Sequence, residues 1–206
     1  KQYVEKGYKE IILLGQNVNS YGKDFKNGDN FAKLLEEICK VEGDFLVRFI
    51  SPHPRDFSDE VIDVIAKNDK IAKSLHLPLQ SGSTRILKMM NRGYTKEQYI
   101  ALAEKIKEKI PGVALTADII VGFPGETEED FLDTLDVVKR IQFENSFMFM
   151  YSIRQGTKAA DMDNQIESEV KKERLQRLIE VQNSCSLAES ETYRGKIVRI
   201  LVEGES

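Results

Sequence analysis

The sequence has no tryptophan, only two histidines and only two cysteines in 206 residues. Cys39 and Cys185 lie far apart and form no metal-binding spacing, which excludes a disulfide-stapled secreted scaffold and fits a reducing compartment. His53 and His76 stand in no metal-ligand pattern, so no metal is expected on this stretch. No apolar run approaches the roughly 18 residues of a membrane span, and the first residues carry no signal-peptide pattern. The expectation is therefore a cytoplasmic chain with no membrane partner. A net charge of −4 gives no overall basic footprint for nucleic acid, although a local patch stays open. Serine triads, phosphate loops, paired-carboxylate signatures, dinucleotide fingerprints, repeats and low-complexity tracts are also absent.

What remains is an ordinary globular composition, 41% hydrophobic and 31% charged, enough for a sizeable core. Short apolar runs alternate with segments of helical period. Strands are expected over residues 11–14, 45–50, 74–79, 113–121 and 145–152. Phe31, Leu34, Leu35 and Ile38 recur at helical spacing, and Val61, Ile62 and Ile65 do so behind a Ser58 cap. Thr95 and Gln98 form a capping box, and Thr127 opens another helix. Helices between strands imply right-handed crossovers and a mostly parallel α/β sheet. A closed or partial α/β barrel leads, and an open doubly wound sheet is second. Residues 167–191 read as a charged linker helix packed on the sheet, and 197–202 as the first strand of a separate β module. The expected division is 1–165 barrel, 166–192 linker helix and 193–206 start of the β module. Lys1 falls inside a helical pattern and Ser206 just after an apolar run, so a fragment of a longer protein is expected.

Turn chemistry gathers after each strand: Gly15-Gln-Asn-Val-Asn-Ser20, Ser51-Pro-His-Pro54, Gln80-Ser-Gly-Ser83, Gly122-Phe-Pro-Gly-Glu126 and Ile153-Arg-Gln-Gly-Thr157. In parallel α/β folds these loops share the carboxyl-end face, where ligands bind. The richest stretch is Thr116-Ala-Asp-Ile-Ile-Val-Gly-Phe-Pro-Gly-Glu-Thr127. Asp118 in an apolar strand is costly unless hydrogen-bonded, and its two open roles are bonding loop amides and contacting a ligand. Phe123-Pro-Gly125 suits a type II turn. Gln16 and Asn17 can hydrogen-bond but cannot act as acid or base. Gln80-Ser-Gly-Ser83 can cap the helix carrying Ile86, Leu87 and Met90. Arg154 could take a phosphate or carboxylate. Phe147, Met148, Phe149 and Met150 read as core.

Four of these stretches go further. Leu14-Gly-Gln-Asn-Val-Asn-Ser-Tyr-Gly22, Leu75-His-Leu-Pro-Leu-Gln-Ser-Gly-Ser83, Asp118-Ile-Ile-Val-Gly-Phe-Pro-Gly-Glu126 and Tyr151-Ser-Ile-Arg-Gln-Gly-Thr-Lys-Ala-Ala160 resemble the radical S-adenosylmethionine methylthiotransferases, in order and spacing over nearly the whole chain. The closest branch is the MiaB type, which methylthiolates isopentenyl-modified adenosine beside the tRNA anticodon. The resemblance implies a radical-SAM-type (β/α) barrel, S-adenosylmethionine and two [4Fe-4S] clusters as cofactors, and tRNA as partner. It implies cofactor contacts from Gly15, Gln16, Asn17, His76, Gln80, Ser81, Asp118, Ile120 and Gly122, a substrate contact from Arg154, and an RNA-binding TRAM-like module from residue 193. The family's Cys-x3-Cys-x2-Cys motif is not in this sequence and would lie upstream of Lys1. The segment alone is thus expected to hold no cluster, to bind S-adenosylmethionine weakly and to be inactive, with an exposed strand edge open to pairing with another copy. Gln155 and Lys158 stand where the family pattern has proline. Alternatives are action on threonylcarbamoyl-adenosine or on a ribosomal protein, or a non-catalytic RNA- or protein-binding barrel.

Overall fold

A computed structural model describes residues 1–198 and 200–202. Among the described residues five strands alternate with helices as their apolar periods predict: α1 (Gln2–Glu5), β1 (Glu10–Leu13), α2 (Phe31–Cys39), β2 (Leu46–Phe49), α3 (Asp59–Lys67), β3 (Ser74–His76), α4 (Thr84–Met89), α5 (Lys96–Lys109), β4 (Ala114–Val121), α6 (Glu128–Ile141), β5 (Asn145–Met150) and α7 (Ser168–Glu191). All pairings are parallel: Glu10 lies opposite Leu46, Ser74 opposite Ala114, and Thr116 opposite Asn145.

Neighbours in space are neighbours in sequence, with no reversal of strand order. That is the winding of a barrel and not of a doubly wound sheet, whose order reverses at a switch point. The wall is split. Val47 bridges to Ile71, just ahead of β3, and beyond that point β1–β2 and β3–β4–β5 are separate sheets. β3 stops at His76, two residues before Pro78, which has no N–H to give a ladder. The chain rejoins the sheet at Gln80, whose amide donates to the Asp118 carbonyl at 2.7 Å.

The two faces of the wall differ. Along β4, Leu115, Ala117, Ile119 and Val121 are all at most 1% exposed. They pack outward in one core with residues such as Ile62 and Ile65 of α3, Ala103 and Ile106 of α5, and Val137 and Val138 of α6. Apolar surface removed from water stabilises at about 25 cal/mol per Å², so burial of this layer favours the fold. The alternate residues Thr116, Asp118 and Ile120 face the barrel interior and stay partly open. Capping is as expected: Thr95 and Gln98 cap each other's backbone at the start of α5, and Thr127 does so with Asp130 at α6.

The helix expected to pack on the sheet is α7 (Ser168–Glu191), and it lies against the outer side of β5 and α6. Leu178 and Cys185 join the core. Gln182, 1% exposed, donates to the Phe143 carbonyl at 2.8 Å and accepts from the Ser146 hydroxyl at 2.8 Å. The strand expected over 197–202 is not formed among its described residues. Ile197, Val198, Ile200 and Val202 are at least half exposed there, and no strand pairs with them among the described residues. Arg199 and residues 203–206 lie outside the described residues.

Candidate active site

The loops that leave the carboxyl ends of the strands are tied together in two groups. On the β1–β2 side, Asn19 is held by His53 at both ends: its amide donates to the His53 carbonyl at 3.0 Å, and its oxygen accepts from the His53 N–H at 2.8 Å. Asp56, its carboxylate 5% exposed, accepts from Asn17 at 2.6 Å, from the Ser20 hydroxyl at 2.9 Å and from Lys23 at 2.6 Å. Arg55 hydrogen-bonds the same carboxylate and is the largest cause of its acidity, holding it far below the usual carboxylate range. The side-chain oxygen Oδ1 of Asn17 stays buried with no partner among the described residues. Ser51, at the end of β2, has φ of 58°, a left-handed conformation that costs a non-glycine residue about 1 kcal/mol or more.

On the β3–β4–β5 side the turn after β4 is braced from outside. Gly122 has φ of 73°, and a Cβ there would sit 2.4 Å from the Lys171 side chain, so glycine is required. Its amide donates to Glu126 Oε2 at 2.7 Å, and the same oxygen receives Arg174 Nη1 of α7 at 2.8 Å. Burial pushes the Glu126 carboxyl up, against the pull of the Gly122 amide and Arg174. Behind the Gln80 loop, Ser83 donates to Asp130 at 2.6 Å, and Arg85 reaches both Asp130 and the Gly125 carbonyl, the latter at 2.6 Å. Burial alone would raise Asp130; the bonds from Arg85, Ser83 and Thr127 outweigh it and hold the carboxyl at about 2. Gly82 abuts the backbone of Thr134, where a Cβ would fall 2.4 Å away.

Between these braces a cavity of about 620 Å³ opens on the carboxyl-end face. It brings together four of the expected residues, Gln80, Asp118, Ile120 and Arg154. Asp118 also reaches the barrel interior, where its carboxylate lies 3.2 Å from His76 Nε2, and His76 Nδ1 lies 3.0 Å from Thr116 Oγ1. His76 therefore lines a second, inner cavity of about 410 Å³. Gly15 and Asn17 line a third hollow beside β1, and Gln16 is exposed next to them. Ser81 is 0% exposed and its hydroxyl accepts from the Ser83 amide, so it shapes the loop and does not face the cavity. Gly122 spends its amide on Glu126.

Several residues that line the site were not singled out from sequence. Arg92 lines the large cavity beside Arg154, and neither forms an ion pair among the described residues. Tyr151 also lines it, and its hydroxyl is buried with no hydrogen-bond partner among the described residues. Phe147 and Phe149, read as core, are each 53% exposed on the inner face. Their alternation with Ser146 and Met148 was the available signal; an uninterrupted apolar run hid it.

The donor set can be tested against the two kinds of group that the resemblance implies. A nucleoside carrying a free amino acid group fits: a carboxylate for ribose hydroxyls and, among the described residues, an unpartnered phenol, two arginines without ion pairs and apolar side chains converge on one cavity. A cluster does not fit. Among the described residues no three His, Cys, Asp or Glu side chains gather to hold a metal. Cys39 ends α2 and Cys185 lies in α7, and burial raises both thiols, the opposite of what a thiolate ligand needs.

Residues 1–138 match the model of the Radical SAM superfamily. The chain belongs to the radical SAM superfamily. It is 78% identical over all 206 residues to a tRNA-2-methylthio-N(6)-dimethylallyladenosine synthase from Fusobacterium nucleatum, of which it covers 47%. Proteins of the same name from Acetivibrio thermocellus and Desulforamulus reducens are 58% and 54% identical over 97% and 100% of the chain, which covers 42% and 45% of them. The chain thus spans about half the length of the curated relatives it matches. Among solved structures, coproporphyrinogen III oxidase from Escherichia coli, described as a radical SAM enzyme, superposes with a TM-score of 0.59 at 20% identity, over 75% of this chain and 36% of that one. The archaeal Methanocaldococcus infernus Elp3 gives 0.57 at 15% identity, over 89% and 47%. Both likenesses support the radical SAM barrel as the fold.

Proposed function

We propose that this chain is the barrel of a radical SAM methylthiotransferase that modifies carbon 2 of dimethylallyl-adenosine beside the tRNA anticodon. The observation that carries this is the 78% identity, across every residue, to a relative whose name states that product. The geometry agrees with it. S-adenosylmethionine, when bound, supplies a methyl group and, after reductive cleavage, a 5′-deoxyadenosyl radical.

The protein's own part is to bind and orient. Asp118 accepts from ribose hydroxyls, with Gln80 beside it. Ile120, Phe149 and Phe123 provide an apolar wall against the adenosyl group. Tyr151 offers its unpaired hydroxyl, and Arg92 and Arg154 take carboxylate or phosphate oxygens. The unpartnered side-chain Oδ1 of Asn17 accepts from a cofactor ammonium, flanked by Gly15 and Gln16, while Ser81, His76 and Gly122 hold the loops in shape. Cluster ligands are to be sought outside residues 1–206. In this reading residues 1–165 are the barrel, 166–192 a helix that braces it, and 193–206 the start of an RNA-binding module, with tRNA as the partner.

The test is the nucleoside content of tRNA. Deleting the gene should convert 2-methylthio-dimethylallyladenosine to dimethylallyladenosine, and the full-length gene should restore it. Unchanged levels, or loss of the methylthio form of threonylcarbamoyl-adenosine instead, would refute the assignment.

A further inference from the structure

The inner face of the barrel holds large apolar side chains that folding has left uncovered. Phe147 is 53% exposed and Ile50 is 45% exposed, although the outer face of the same wall is almost fully packed. Both line the inner cavity of about 410 Å³, with His76, Thr116 and Asp118. Phe147 lies opposite Asp118 in the β4–β5 register. The His76 ring meets the Phe147 ring edge-on, with centroids 6.0 Å apart. Its two nitrogens are already engaged by Thr116 and Asp118. Arg48, the cation lining this cavity, is paired with Glu10. An apolar wall beside a carboxylate, with Arg48 neutralised by Glu10, suits an uncharged hydrocarbon group and disfavours an anion.

Asp118 lines this cavity and the large one alike, so the two spaces adjoin. In a purine, carbon 2 and the exocyclic N6 sit on either side of N1. A base whose carbon 2 faces the cofactor cavity therefore sends its N6 substituent away from the reacting atom, into a neighbouring space. We propose that the inner cavity receives the dimethylallyl group and that Phe147 is a specificity-determining residue, preferring this five-carbon apolar group over the carboxylate-bearing threonylcarbamoyl group. The inference rests on the function proposed above and adds to it the side chain that selects the substrate.

The test uses full-length protein and three anticodon stem-loop RNAs, whose target adenosine is plain, dimethylallyl-modified or threonylcarbamoyl-modified. Binding is read by fluorescence anisotropy and product by nucleoside mass spectrometry. Burial of a few methylenes in an apolar pocket discriminates by roughly tenfold or more. The wild type should bind dimethylallyl RNA tighter than plain RNA by about that factor, and should not favour the threonylcarbamoyl RNA. Phe147→Ala should bring the ratio to within about twofold, with a far-ultraviolet circular dichroism spectrum like that of the wild type, which a misfolded variant would not show. Phe147→Leu, still apolar, should recover most of the preference. A Phe147→Ala protein that keeps the wild-type ratio overturns the inference, as does a wild type with no preference. Failure of the wild type to methylthiolate dimethylallyl RNA at all would instead refute the underlying function.

Discussion

The two halves of the barrel wall are held by different physics. In the β1–β2 half, polar ties dominate at the carboxyl end: Asp56 gathers Asn17, Ser20 and Lys23, and Asn19 clasps the His53 backbone. Ile12 and Leu14 of that half stay 48% and 72% exposed. In the β3–β4–β5 half, α6 and α7 cover the outer face, and the cavity turn is fixed by Glu126 and Arg174, whose side chains are 1% and 7% exposed. One half trusts its shape to hydrogen bonds near water, the other to a packed layer with one buried ion pair. The first should open locally at low cost, and the second should fail only with the whole fold.

The largest expected effect tests the second half. Arg174→Ala leaves Glu126 buried without its cation, and losing one member of a buried pair costs about 3–5 kcal/mol. Urea titration should show a correspondingly lower midpoint, and Glu126→Gln added to Arg174→Ala should recover part of the loss. A change below about 1 kcal/mol would mean that α7 is not the brace described here.

A smaller effect lies in acid. Asp130 is held at about 2, below its ordinary 3.8, so its bonds stabilise the fold above about pH 4 and are lost as pH falls from about 4 to 2. The shift corresponds to about 2 kcal/mol. Asp56, also depressed, works in the same direction; Glu126, raised by burial, works in the opposite one. Stability of Asp130→Asn measured between pH 2 and 5 should be flatter than that of the wild type. An identical slope would contradict the assignment.

The smallest effect tests the first half. Asp56→Asn weakens its ties to Ser20 and Lys23, a loss of roughly 1–2 kcal/mol that should stay local. Amide exchange should quicken over residues 15–23 and remain unchanged in β4. Equal acceleration in both places would erase the contrast between the halves.

Much of the fold was readable in advance because each strand carries an apolar run and each main helix a 3.6-residue period. The capping box at Thr95 and Gln98 was visible for the same local reason. The site was readable only in part. Gln80, Asp118, Ile120 and Arg154 do meet, since loops after parallel strands share one face. Ser81 points inward because its hydroxyl serves the Ser83 amide, which a loop sequence does not reveal. Tyr151, Arg92 and Phe147 were missed because their roles depend on what faces them across the barrel. Ile197 to Val202 carries a strand pattern, yet no strand forms among its described residues: a β-pattern needs a partner.

The sequence by itself determined the alternation of strands and helices, the parallel sense of the sheet, and four motifs that place the chain among radical SAM proteins. These are local or statistical properties, set by periodicity and spacing. Tertiary structure alone decided that the wall splits after Val47, that α7 locks the turn at Gly122, and that two phenylalanines read as core face an open interior. Those outcomes turn on contacts between residues tens of positions apart, where packing and burial, not local preference, choose which side chains are satisfied and which are left for a ligand.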